Sequence, residues 1–466
     1  MKFANAGQFV YKNRMSFRAT LKEIPATVKL AAPIALGMLS HMILQLTDTL
    51  MLGHYGTHEL AAASLANGFV IIILLAGFGF GQAVSALSSQ ALGEKDERIA
   101  LGIYHLSSIA TLVYGVLAVI FIAAILPLFD HLGQDPRVAA LAKPFALLIT
   151  LSFIPGLLFQ TARNYYETLK RPWITFAYMA LVVALNIFFN WVFIFGKFGA
   201  PALGIVGSGL GTLLARLVMA AIFFIHAHMP GQPLCQRERV KIRNIPFNML
   251  PKILAIAGNT SLQAIATNLA YLLGSLWVGM AGFAGLAGQR IVGTMDATLY
   301  MLPLGISYAL SARIGRAKGE DNFVLARTIY RGGFWITVVF CGAASLLMFI
   351  FRRPLVGAFT TDPPTIAIAV NLAMISCVFR VFDGLDCVTI ASLRALGDIV
   401  VPSIIYLGLY WLLAMPLGYY LAFVRRMGAA GVWWGYTAAI VLMGAFMVAR
   451  FWRVAWRRSG AKAEAG

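Results

Sequence analysis

The chain alternates apolar stretches, each too long to need a soluble core, with short joins that hold nearly all of its charge. Windows of about 20 or more apolar residues lie near 30–53, 59–90, 100–128, 138–162, 174–196 and 202–227. After the polar stretch His228 to Lys252, six more lie near 253–280, 284–312, 326–351, 365–393, 400–424 and 428–451. In hydrocarbon every backbone N–H and C=O must be satisfied within the segment, so stretches of this length can only be helices. The sequence therefore predicts an all-α polytopic membrane protein with twelve transmembrane helices. Composition agrees: 60% of residues are hydrophobic and 12% charged, against about 25% charged in soluble domains.

The net charge of +19 does not imply nucleic acid, because the basic residues flank apolar segments and form no patch on a soluble domain. They report topology instead. With the amino terminus inside, roughly 27 Lys and Arg fall on the cytoplasmic side, among them Lys12, Arg14, Arg18, Arg171, Arg237, Lys241, Arg316, Lys318, Arg453 and Arg457. Roughly 7 fall outside, such as Lys197, Arg352 and Arg425. Both termini are expected in the cytoplasm, in a multi-pass protein of the inner (plasma) membrane. The domain plan is a cytoplasmic segment 1–28, an amino-terminal lobe 29–227, a linker 228–252, a carboxy-terminal lobe 253–452 and a tail 453–466. The first 25 residues lack the short apolar core and cleavage site of a signal peptide. Cys235, Cys341, Cys377 and Cys387 show no paired spacing and read as reduced.

The two halves repeat. Gly56 and the residues after it match Gly282 onward, LGEKDERIALGIY near Leu92 matches KGEDNFVLARTIY near Lys318, and the glycine-rich stretches near Gly199 and Gly428 match in turn, all at an offset of about 226 residues. Six helices per half bring each repeat back to the side it started from. The lobes are then expected to be pseudo-symmetric about an axis along the membrane normal, as in transporters.

Asp48 is a lone acid in a membrane-length apolar helix. Such a residue on a lipid-facing surface costs about 2.5–3.5 kcal/mol, so it should face protein or a watered cavity and suggests function before helix glue. Asn186 and Asn190 sit at the matching depth of the fifth helix, and their i,i+4 spacing puts both on one face. A carboxylate with two amides could hold a hard cation or a proton. Taken alone, the asparagines read as helix glue.

With Asp48, Met51 and Gly53, the Asn186 and Asn190 pair followed by VFIFG, and FDG with SLRALGD between Phe382 and Asp398, the sequence resembles the multidrug and toxic compound extrusion (MATE) family, in its NorM-like branch, over about residues 28–450. The resemblance implies two six-helix lobes and efflux of cationic or amphipathic compounds in exchange for Na+ or H+. It also gives Asp48, Asn186 and Asn190 the role of ion or proton site, with at most a monovalent cation as metal. In the seventh helix, where the branch is expected to carry a glutamate, this chain has Thr267, with Asn268 beside it. Asp383 matches the tenth-helix acid; Asp386, Arg380, Asp296 and Arg290 add charge to the same lobe. Two readings stand for these residues. Asp383, Asp386 and Asp296, with Thr267 and Asn268, form a second ion or substrate site, or Arg380 and Arg290 neutralise the acids in a structural network.

Other signals are weaker. Gln82, Ser85, Ser88 and Ser89 could line a cavity but better suit close helix packing, and Glu167 among Arg163, Lys170 and Arg171 reads as a surface salt-bridge cluster. Tyr165, Tyr166, Trp277, Tyr300 and Trp411 could stack on a cationic drug, but most read as core or interface anchors, and RERVKIR in the linker reads as a topology determinant that meets lipid headgroups. Expected partners are small cationic or amphipathic substrates and membrane lipids, with no nucleic acid, no cofactor and a monomeric state. The nearest rival is a lipid or lipid-linked oligosaccharide flippase, which should have a basic cavity, whereas the amino-terminal lobe reads as acidic or neutral inside. A membrane enzyme lacks a convergent His, Ser or metal constellation here, a channel lacks a filter segment, and no ATP-binding loop is present.

Overall fold

Several breaks between apolar stretches carry a side chain that caps the start of the next helix. Asp96 accepts a hydrogen bond from Ile99 N at 2.8 Å, and its repeat counterpart Asn322 accepts from Leu325 N at 2.9 Å. Asp135 and Asp362 cap in the same way, each followed by a proline in the first helical turn. The residue before each of the first two caps, Lys95 and Asp321, takes positive φ (62° and 58°). The repeat read from the sequence is thus also a repeat of turn geometry.

The computed structural model describes residues 2–131, 135–234 and 246–463; Cys235 and all of RERVKIR, including Arg237 and Lys241, lie outside the described residues. Among the described residues there is no strand. The long helices are α1 (Lys2–Tyr55), α2 (Thr57–Gly93), α3 (Glu97–Ile125), α4 (Pro136–Thr168), α5 (Pro172–Phe195), α6 (Gly204–Ala227), α7 (Leu250–Ala281), α8 (Phe283–Gly319) and α9 (Phe323–Ile350). They continue with α10 (Pro363–Ala395), α11 (Val400–Val424) and α12 (Ala429–Ala463). Eleven are long and apolar enough to cross a membrane. The remaining one, α8, has the length, at 37 residues, but Arg290, Asp296 and its glycines and threonines dilute it. Within α11 the turns widen to π geometry at Leu409–Ala414 and Tyr420–Val424, on either side of Pro416.

The helices form two compact units, one of residues 36–262 and the other of 1–35 with 263–466. The first helix of each half, α1 and α7, is divided between the two units. The physical reason is length. The apolar part of α1, Phe17–Tyr55, has 39 residues, roughly 58 Å at 1.5 Å each, nearly twice a hydrocarbon layer of about 30 Å. Its two ends can therefore satisfy different neighbours. In the 36–262 unit, Gly79 of α2 leaves room for the start of α7, where Ser261 Oγ donates to Ala76 O at 2.6 Å. In the other unit, Gly305 of α8 lies so close to Ala35 of α1 that a Cβ would come within 2.7–2.9 Å of it. Nearby, Arg313 binds Glu23 and Thr27. Gly79 and Gly305 are repeat counterparts, so both units use one small residue to admit a first helix.

Within the 36–262 unit, the serines of α2 serve packing: Ser88 Oγ donates to Ala100 O of α3 at 3.1 Å. Tyr165 is buried and stacks on Tyr104 at 5.1 Å.

Candidate ion site

In the 36–262 unit, α5 and α6 pack through small residues. A Cβ at Gly207 would meet the Phe193 backbone, and one at Gly211 would collide with Asn190. This close approach delivers Thr212 to the asparagine face. Asn186 Nδ2 donates to Thr212 Oγ1 at 3.1 Å, and Asn190 Nδ2 donates to Asp48 Oδ1 at 2.5 Å, with Asn186 Oδ1 3.5 Å from the same nitrogen. Both asparagines are fully buried (0% exposed), while Asp48 is half-buried. Asn190 Oδ1 is buried and accepts no hydrogen bond, an arrangement that costs about 1–3 kcal/mol unless something else uses the oxygen.

The three residues read from the sequence are thus brought together. Sequence reasoning missed Thr212 and Gly211; the i,i+4 pattern of α6 glycines facing α5 was the available signal. It also misjudged the charge of this interior. Arg216, one turn beyond Thr212, is half-buried, donates to Ser152 Oγ at 2.8 Å and lies 5.5 Å from the Phe153 ring. Arg163 and Glu167, expected at a surface, are 2% and 3% exposed and form an ion pair at 2.7 Å, with the guanidinium against Gly37 of α1. Spacing i,i+4 on α4 turned both inward together. The unit's interior is therefore charge-balanced and not simply acidic or neutral.

In the other unit the acids divide. Arg380 Nη2 and Nε donate to Asp296 Oδ1 at 2.8 and 3.2 Å, and its Nη1 donates to Asp383 Oδ2 at 2.8 Å. Asp386 is 2% exposed, but no hydrogen bond joins it to Arg380, and its Oδ1 is unpartnered. Arg290 is exposed and takes no part in the network. Thr267 Oγ1 and Asn268 Nδ2 bond back to Gln263 O and Ala264 O at 2.8 and 2.9 Å on their own helix, and Asn268 is exposed. The structure does not join these two to the acids.

The sequence model of the MatE family matches residues 33–192 and 260–420, one stretch in each repeat. A probable multidrug resistance protein NorM of Mesorhizobium japonicum is 30% identical over 450 residues, covering 93% of this chain and 94% of that protein. Another of the same name, from Agrobacterium fabrum, is 27% identical over 437 residues, covering 91% and 93%. Among solved structures, a MOP-superfamily transporter from Pyrococcus furiosus aligns with a TM-score of 0.84 at 21% identity, covering 94% of this chain and 97% of its own, which shows the fold alone.

Proposed function

The chain belongs to the MatE family, in its NorM-like branch, and from that premise we propose that it is a multidrug efflux transporter that exports cationic or amphipathic compounds across the inner membrane in exchange for Na+ or H+. It works by alternating access, as a monomer with both termini in the cytoplasm. The coupling site is Asp48 with Asn186 and Asn190, to which Thr212 adds a hydroxyl oxygen.

One observation carries this assignment: the buried, unpartnered Oδ1 of Asn190, on the side chain that also binds Asp48. A carboxylate, amide oxygens and a hydroxyl are the hard oxygen ligands that suit an alkali cation. The same carboxylate, in an apolar helix, is equally suited to hold a proton. Either occupant changes the charge of the site, and a charge change is what lets an ion gradient act on a conformational equilibrium. Exchange follows when ion and drug favour different states by a few kcal/mol. The acids of the other unit have less support as a second ion or substrate site, because Arg380 already takes the facing oxygens of Asp296 and Asp383.

The test is drug transport in proteoliposomes with Na+ and H+ gradients imposed independently. One gradient should drive wild-type transport, and Asp48→Asn should reduce transport to the level of empty liposomes while the protein stays monodisperse. Wild-type rates in Asp48→Asn would make Asp48 helix glue. The flippase reading draws on Arg216, a cation inside the amino-terminal unit. It predicts that fluorescent anionic lipid crosses the bilayer and that no drug gradient forms.

A further inference from the structure

Outside the Asp48 region, the densest chemistry surrounds Arg380, in the unit of residues 1–35 and 263–466. The side chain is 3% exposed. Three of its N–H groups point at two carboxylates, Asp296 and Asp383, and Ser376 Oγ donates to the same Asp296 oxygen at 2.7 Å. The rings of Tyr300 and Phe379 lie 5.7 and 5.8 Å from its central carbon. Carboxylates around the edge and aromatic rings nearby make a desolvated box for a cation. The box already holds one, and that cation is covalently part of α10.

A free cation seeking Asp296 or Asp383 would have to sit within a few ångströms of a guanidinium that uses the same oxygens. In a low-dielectric interior that repulsion is strong. Pushing Arg380 aside would strand its charge instead, which is costlier still. The arrangement is built into helix geometry: Ser376, Arg380 and Asp383 recur at i, i+4 and i+7, so one face of α10 carries the cation and part of its shell.

We infer that Arg380 is a tethered counter-ion that occupies the carboxylate pair Asp296 and Asp383 permanently and closes it to exchangeable ions. The acid at position 383 is then structural, and the ion exchanged in transport is held elsewhere. Its bearing on transport rests on Asp48 being the coupling site. Removing the guanidinium should uncover a cation site that the native chain keeps filled, with Asp296 Oδ2, buried and unpartnered, among its ligands.

The experiment is equilibrium binding of radiolabelled Na+ to the purified full-length protein, with size-exclusion profiles to check folding. Asp383→Asn should bind as many Na+ as the wild type. Arg380→Met should bind one ion that the wild type does not, and Arg380→Met with Asp383→Asn should lose it again. Loss of a wild-type-bound ion in Asp383→Asn overturns the inference, as does a monodisperse Arg380→Met with no added ion. If Arg380→Met alone does not stay monodisperse, the Asp383→Asn comparison still decides. When H+ is the coupling ion, proton release on drug addition, followed with a pH-sensitive dye, replaces the Na+ count; Asp383→Asn should release as the wild type does, and a smaller release overturns the inference. Asp48→Asn is measured in parallel: if it keeps the wild-type ion, the coupling site has been misassigned while Arg380 keeps its role.

Discussion

Asp48 and Glu167 are acids of one unit that should answer differently to mutation, because Glu167 has a guanidinium bound to it and Asp48 has an amide. Arg163→Met leaves Glu167 buried and uncompensated and is expected to cost about 3–5 kcal/mol, whereas Arg163→Met with Glu167→Gln should recover most of that. Melting temperatures in detergent check the ranking; equal losses for single and double variants would mean the pair contributes only packing. Gly211→Ala probes the ion site without touching a ligand. Its Cβ would collide with Asn190, so the dependence of transport on the driving ion should weaken while Asp48 remains. At this scale Asp48, Asn186 and Asn190 were legible because an acid in an apolar helix and an i,i+4 polar pair are costly enough to stand out. Thr212 was not placed and Arg216 was read only as lying within a membrane segment, since which face of α6 meets α5 depends on Gly207 and Gly211 admitting a neighbouring backbone, and spacing alone does not say which backbone. Glu167 was misread for a related reason: a charged pair near a turn looks solvated until the packing around it is known.

Among the elements, the caps are the clearest carriers of the repeat. Asn322→Ala should lower stability by about 1 kcal/mol, as should Asp96→Ala, because each removes the acceptor for an orphan N–H at the start of α9 or α3. A thermal-shift comparison with Asn322→Asp, which keeps the acceptor, separates capping from general surface effects. The helices were legible nearly throughout, since apolar length leaves a membrane segment little choice. Helix ends were less so. Capped turns such as 94–96 and 320–322 let α2 and α8 run on past the apolar windows, and α8 passes as a spanning helix by its place in the repeat more than by its own hydropathy. The charged lobe was legible as a set of residues but not as a partition. Arg380 and Asp383, three residues apart on α10, meet each other and Asp296, while Asp386, three further, has turned away and forms no bond with Arg380.

For the whole molecule, what the sequence could not reveal is that each compact unit draws on both repeats. The offset of about 226 residues suggests a cut near the middle of the chain, but the start of α1 packs on α8 and the start of α7 packs on α2. Expressing residues 1–240 alone should therefore give little folded protein, because the Gly79 face of α2 lacks its partner helix. Co-expression with 241–466 should restore a complex that purifies through a tag on either piece; accumulation of either piece alone in folded, monodisperse form would contradict this. The division of the first helices also bears on ancestry. A half-length protein with this packing could complete itself only by trading its first helix with a second copy, as domain-swapped dimers do. Duplication and fusion would turn that exchange between two molecules into one within a single chain. The two halves could then diverge, one keeping Asp48 in its first helix and the other acquiring Arg380 in α10.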